Sequence, residues 1–244
     1  MKVFTKTDVG MTRSMNQDSF LVSEDKNNGL KLYILADGMG GYKGGEIASK
    51  VAVAAVAKYI TEKFAEIPKD KQSILELIED SIIFANSAIY EESEQDEELQ
   101  DMGTTLEVVL IYKSKIYIGH IGDSRVYRIR KNKMKKITTD HSYVEKLIQD
   151  GEISREEAYT HPKRNLLIKA LGTDEEVEPD LIYTVLNKND MIIMCSDGLT
   201  NMIREEEILN IVKDCEADPT EVLVDKANVA GGLDNITVIV IDNR

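Results

Sequence analysis

Apolar residues come first in runs of strand length, over residues 2–9, 19–23 and 31–36, the last reading KLYILA. The period then changes. Residues 44–65 are rich in alanine, and 74–90 repeat apolar positions at i, i+3 and i+4, so the spacing predicts two successive helices. Strand patterns return at 104–112, 115–121 and 125–129, and again at 181–185, 191–195 and 236–241. Two further helices are expected over 205–213 and 220–229.

Strands and paired helices therefore arrive in blocks rather than in βαβα alternation. That argues for a layered α+β sandwich over a doubly wound sheet. No internal repeat and no Pro/Gly/Ser-rich linker interrupts the chain, so residues 1–244 are expected to form one domain. Residues 142–180 break the pattern: they are polar, with short helical stretches and the acidic run Asp174-Glu175-Glu176-Val177-Glu178. They are expected to form an insertion lying over the sandwich.

Composition narrows the function. Lys plus Arg total 30 against 44 Asp plus Glu, a formal charge of −14, which excludes a sequence-blind hold on nucleic-acid phosphates. An apolar fraction of 42% supports a sizeable core. No apolar run reaches the roughly 18 residues of a membrane span, and the opening MKVFTKTDVG lacks a signal-peptide core. A cytoplasmic monomer away from membranes is the expectation. Cys195 and Cys215 are the only cysteines, too few for a disulfide framework or a thiolate metal site, and Cys195 belongs to an apolar strand. Residues 91–101 hold seven acids and residues 125–136 seven bases. These fit a solvated helix end and a hairpin tip, or, for the basic run, a dock for an acidic partner.

Five aspartates adjoin apolar runs. Asp18 precedes the strand pattern at 19–23, Asp37 follows KLYILA, Asp123 follows IYIGHIG, Asp197 follows MIIMCS, and Asp234 with Asn235 opens ITVIVI. Each sits where a strand is expected to begin or end, so a sheet edge can gather them from distant sequence. Asp-Gly alone is a turn signal, as Asp150-Gly151 behind a helical stretch illustrates. Five acids, each against an apolar run, are harder to explain as turns.

Converging acids require a counter-charge. Two carboxylates ~4 Å apart repel by about 4 kcal/mol even at an effective dielectric of about 20. Packed together they stay protonated unless cations neutralise them. The ligands are all oxygen, with no His or Cys cluster beside them, which selects Mg²⁺ or Mn²⁺ over zinc. Paired ions of this kind suit phosphoester hydrolysis by an activated water. Arg13 is the natural phosphate clamp, since one guanidinium meets two phosphoryl oxygens at once. The glycine-rich segment 38–45 is no nucleotide loop: GxGxxG would need Gly where Lys43 stands, and a Walker motif from Gly40 would need Lys where Glu46 stands. Its glycines are expected to let the backbone approach a bound metal, with the Gly38 carbonyl as an oxygen ligand.

RSMNQD, LADGMGG, MGTT, GDSR, CSDGLT and GLDNITVIV occur in this order along nearly the whole chain. Together they resemble the metal-dependent protein Ser/Thr phosphatases of the protein phosphatase 2C family, in their short single-domain bacterial form. The resemblance implies a four-layer αββα sandwich, two antiparallel β-sheets flanked by helix pairs, with a flap insertion at about 142–180. It implies two tightly bound Mn²⁺ or Mg²⁺ ions, a weaker third, and hydrolysis of phosphoserine and phosphothreonine on proteins by a metal-activated water. A bacterial Ser/Thr kinase would be the opposing partner. By the same resemblance Asp37 would bridge the two ions, Asp197 and Asp234 would complete the first, and the Gly38 carbonyl would bind the second. Asp18 would act through the attacking water, Asp123 with Asp197 would hold the third ion, and Arg13 would hold the phosphate.

Two positions depart from some relatives. Met39 stands where those carry a His that protonates the leaving oxygen, and Gln17 replaces one of their acids. A water in the site or His161 is then left as the proton donor, while His120 and His141 are expected to be structural. Two other readings compete: a catalytically inactive phosphoprotein-binding module, which the intact acid set disfavours, and a phosphohydrolase of small metabolites.

Overall fold

The computed structural model describes residues 1–40, 43–215 and 217–244. One antiparallel sheet runs in the order β1 (Lys2–Asp8), β11 (Ile236–Asp242), β10 (Met191–Cys195), β7 (Arg125–Arg130) and β8 (Lys133–Lys136). The other runs β2 (Asp18–Asp25), β3 (Leu30–Met39), β5 (Leu106–Tyr112), β6 (Lys115–Ile121) and β9 (Asp180–Val185), with the short β4 (Gly103–Thr104) on the end of β3. Helices α1 (Gly44–Lys63) and α2 (Lys71–Gln95) pack on the second sheet. Helices α5 (Asp197–Thr200), α6 (Glu205–Asp214) and α7 (Pro219–Val229) pack on the first. The result is the four-layer αββα sandwich.

Strand alternation builds three cores from these layers. On β3, Leu32, Ile34 and Ala36 join Val56, Ile60, Ile78 and Ile82 of the α1–α2 pair. Its alternate residues Tyr33 and Leu35 meet Ile192, Met194, Ile239 and Ile241 of the opposite sheet. On β10 and β11, Ile193, Cys195, Val238 and Val240 turn outward against Leu199, Ile208, Leu223 and Val224. Both faces of these strands are covered, which is why they read as unbroken apolar runs. Burial pushes the Cys195 thiol well up, so it stays an inert core residue.

Four features differ from the sequence pattern or complete it. First, β3 runs past residue 36 because Gly38 and Met39 pair with Thr104 and Gly103, so Asp37 lies inside a strand rather than beyond its end. Second, α2 reaches residue 95 and takes the front of the acidic run 91–101, while the basic run 125–136 is the β7–β8 hairpin with Lys131 and Asn132 at its tip, both at positive φ. Third, a four-residue helix begins directly on Asp197.

The fourth concerns residues 142–180. They carry α3 (Tyr143–Gln149) and α4 (Arg155–Ala158) and lead the chain from β8 in one sheet to β9 in the other, so they are a crossover as well as a cover. Bridges Ser142–Leu167 and Thr104–Leu171 fasten the segment. The buried Asn86 of α2 donates to the Asp174 and Glu175 carbonyls, at 2.9 and 3.0 Å, and accepts from the Gly172 N–H at 2.8 Å. The segment is hydrogen-bonded to the core rather than hung from it.

Candidate metal centre

The site forms where the ends of both sheets meet. Asp18 opens β2 and stands directly across from Asp37 on β3. Like charges at opposed positions weaken a sheet, so this pairing is not one that stability selects. Asp37 is fixed through its backbone: its N–H donates to the Thr105 hydroxyl at 3.0 Å, and its carbonyl accepts from the Thr105 N–H at 2.9 Å and the Thr104 hydroxyl at 3.0 Å. Asp123 lies in the turn after β6, Asp197 starts α5 and Asp234 precedes β11. Arg13, Asp37, Gly38, Asp123, Asp197 and Asp234 line one cavity of about 300 Å³, with Met39 and Gln17 also on its wall. Asp18, paired with Asp37 across the strands, is not itself on this wall. Its Oδ2 accepts from the Ser196 and Thr237 hydroxyls at 2.9 and 2.6 Å, and its buried Oδ1 has no hydrogen-bond partner among the described residues.

Electrostatics records the crowding. Burial, then the charges of Asp18, Asp197, Asp123 and Asp234, lifts the Asp37 carboxyl well above the usual carboxylate range. Burial likewise pushes Asp18 up to about 7 against the bonds from Thr237 and Ser196, with Asp197 adding to the rise. Asp197 is pushed up to about 6 by burial and Asp234, and Asp123 is raised by burial, Asp197 and Asp140. A cluster held this far above its ordinary range is one that divalent cations would discharge. Among the described residues no three His, Cys, Asp or Glu side chains stand in ready ligating positions around one point. Besides Asp18, two of the acids are instead held by protein donors: Asp234 by Arg13 at 2.8 Å and Asp197 by Asn201 at 2.9 Å. The all-oxygen donor set, the orphaned Asp18 oxygen and the mutual repulsion fit a hard divalent ion.

Gly38 and His161 have defined surroundings. A Cβ on Gly38 would lie 2.0 Å from the Gly45 carbonyl oxygen and 2.6 Å from that of Gln17. Glycine is required there so that the start of α1 can press against β3, chain against chain; Gly41 and Tyr42 of the same segment lie outside the described residues. His161 is not on the cavity wall; its Nδ1 accepts from the Lys163 N–H at 3.1 Å and its ring lies 6.0 Å from that of Tyr143.

A second, larger cavity of about 490 Å³ adjoins the first and shares Asp123 and Asp197 with it. Its other walls come from β7, β8 and the 137–140 stretch after it, the 142–180 segment, and Thr200, Asn201 and Glu205 around α5 and α6. Arg125 grips Asp140 through three hydrogen bonds of 2.6–3.1 Å, and Lys136 reaches Asp140 at 2.9 Å. Burial alone would raise the Asp140 carboxyl, but Arg125 and Lys136 hold it below its usual range.

A protein phosphatase 2C family model matches residues 11–222 of this chain. The chain belongs to the protein phosphatase 2C family. Membership makes it a metal-dependent protein-serine/threonine phosphatase, with phosphoproteins as substrates. Protein phosphatase PhpP of Streptococcus pneumoniae serotype 2 is 39% identical over 244 residues, covering 99% of this chain and 97% of that protein. The solved Streptococcus agalactiae serine/threonine phosphatase superposes with a TM-score of 0.91 at 37% identity, over 100% of this chain and 99% of its own. The catalytic domain of the phosphatase PstP in complex with two manganese ions gives a TM-score of 0.85 at 34% identity, over 99% and 97%.

In this family member the acids depend on neutral polar residues that the sequence reading passed over. Asn235 is buried and joins three strangers: its amide donates to the Val9 and Met15 carbonyls, both at 2.9 Å, while its oxygen accepts from the Gln17 N–H at 2.8 Å. It thereby closes the loop carrying Arg13 onto the strand start carrying Asp234. Thr105, Ser196 and Thr237 do comparable work for Asp37 and Asp18. Each lies inside one of the six motifs, and the available signal was a polar side chain in an apolar setting.

Proposed function

We propose that this phosphatase hydrolyses phosphoserine and phosphothreonine on proteins at a two-ion Mn²⁺ or Mg²⁺ centre within one catalytic domain spanning residues 1–244. In this reading Asp37, shared between the ions, would hold them together with Asp197 and Asp234 on the first and the Gly38 carbonyl on the second, and Asp123 with Asp197 would hold a weaker third. The observation that carries it is the convergence of carboxylates from both sheets on one cavity, with Arg13 on its wall. Bound ions would neutralise the acids, draw charge from the phosphoryl group and activate a water. Arg13 uses one N–H on Asp234 and has further donors for phosphate oxygens. Asp18, braced by Ser196 and Thr237, orients the attacking water through its remaining oxygen. The Met39 thioether cannot donate a proton, and His161 stands off the cavity wall, so a water protonates the leaving oxygen.

Residues 142–180 act as the flap, and the larger cavity beneath them gives room for the polypeptide that carries the phosphate. Phosphoprotein substrates require a kinase to make them, so a Ser/Thr kinase is the opposing partner of a cytoplasmic monomer. Among the described residues no helix is long and apolar enough to cross a membrane. The test compares a phosphothreonine peptide with a sugar phosphate, each with Mn²⁺ and with EDTA. Hydrolysis of the peptide at about 10-fold or greater kcat/KM, lost to EDTA, is expected. Preference for the sugar phosphate would instead favour the metabolite phosphohydrolase.

A further inference from the structure

His141 was expected to be structural, yet its contacts converge on the turn that carries Asp123. Its N–H donates to the Gly122 carbonyl at 2.7 Å, and its Nδ1 accepts from the Gly122 N–H at 3.2 Å. One residue thus meets both polar groups of the residue preceding Asp123. A ring nitrogen that accepts is unprotonated, so the ring proton resides on Nε2, which faces Asp180 Oδ2 at 3.3 Å. The ring is stacked on His120, centroids 4.6 Å apart. His120 is itself locked, with Nδ1 against Glu107 at 2.5 Å and Nε2 donating to the Thr139 carbonyl at 2.8 Å. Glu107 and His120 are fully buried, so this backing has no room to shift.

The opposite side of the turn is equally constrained. Gly122 has φ +106°, and a Cβ there would lie 2.6 Å from the Thr105 side chain. The Thr105 hydroxyl shares a 2.8 Å hydrogen bond with Ser124 and also accepts from the Asp37 N–H. The residues 122–124 are therefore clamped between His141 and Thr105.

We propose that His141 is a positioning residue that fixes the Gly122–Asp123 peptide and so presents the Asp123 carboxylate to the weaker ion site. The proposal rests on the ion assignment of Asp123 made above. It also gives residues 142–180 a direct link to that turn, because the His141 carbonyl accepts from the Ile168 N–H at 2.9 Å. A cation ligand held by an oriented neighbour loses affinity when the neighbour is removed, by about 10-fold or more.

The test is calorimetric titration of the full chain with Mn²⁺, alongside phosphopeptide kinetics and thermal melting, for the wild type, His141→Phe and His141→Asn. Phe keeps a ring to stack on His120 but has no acceptor. Asn discards the ring but offers an oxygen near the Nδ1 position. Phe is expected to weaken the weakest class of Mn²⁺ sites about 10-fold and lower kcat more than it raises KM, leaving the tight sites unchanged. Asn is expected to stay within about threefold of wild type in that class. A role in packing alone would give the reverse order, and that order would overturn the proposal. So would an unchanged weak site in a folded Phe variant, or a wild type with no site weaker than the tight pair. Should the Phe variant not fold, a weak site about 10-fold poorer in the Asn variant is sufficient to overturn it. A wild type that neither binds Mn²⁺ nor hydrolyses phosphopeptide would defeat the ion assignment itself, a separable outcome.

Discussion

Asp37→Asn is expected to lower Mn²⁺-dependent kcat/KM on a phosphopeptide by about 10³-fold or more, roughly 4 kcal/mol of transition-state stabilisation. Asparagine has the same shape and keeps the backbone bonds to Thr104 and Thr105, so the geometry of β3 survives. What disappears is the anion that every other acid in the cluster faces. Burial and four neighbouring aspartates already make that anion costly in the metal-free fold. The variant is therefore expected to melt no lower than the wild type in EDTA, and at equal or higher temperature, the usual relation between a strained site and stability. Loss of activity together with a lowered melting point would mean that Asp37 supports the fold. Near-wild-type turnover would remove it from the ion site altogether.

Arg13→Ala is expected to raise KM on a phosphopeptide about 10-fold or more while changing kcat less, since a charge-assisted hydrogen bond to phosphate contributes about 1.5–3 kcal/mol. The side chain is 51% exposed and its ion pair with Asp234 is screened by solvent, so stability should stay close to wild type. Arg13→Lys is expected to recover only part of the loss, because an ammonium cannot match the two-pronged geometry of a guanidinium. An unchanged KM in the alanine variant would take the clamp role from Arg13.

Much of this molecule is legible in its sequence because its strands are covered on both faces. Runs such as KLYILA and MIIMCS have one conformation that buries them fully, and the aspartates beside them inherit a location at the sheet ends. Where the answer depends on distant partners, local pattern fails. Nothing near residue 37 announces that Gly103 and Thr104 will extend β3 past it. Asn235 reads only as the opening of the run ITVIVI, although its bonds go to Val9, Met15 and Gln17, more than two hundred residues away in sequence. Nothing local to Gly38 shows that its missing Cβ makes way for the Gly45 carbonyl at the start of α1. Residues 142–180 lack any period, and their path is dictated by Asn86 and by the two strand bridges. The acids were legible because charge at the end of an apolar run is conspicuous; the hydroxyls and amides that aim them were not.

Calorimetric titration of the wild-type chain with Mn²⁺ at about pH 6 and about pH 8, in buffers of different ionisation heat, probes the acid cluster most directly. Burial and the neighbouring acids push Asp18 up to about 7 and Asp197 up to about 6, and Asp37 and Asp123 are raised as well. Below those values the Asp18 and Asp197 carboxyls hold protons that an incoming cation must displace; above them these two are already charged. Affinity should therefore strengthen as pH rises through this range, with more protons released at the lower pH than at the higher. Equal affinity at both, with no proton release, would contradict a buried carboxylate cluster as the seat of the ions.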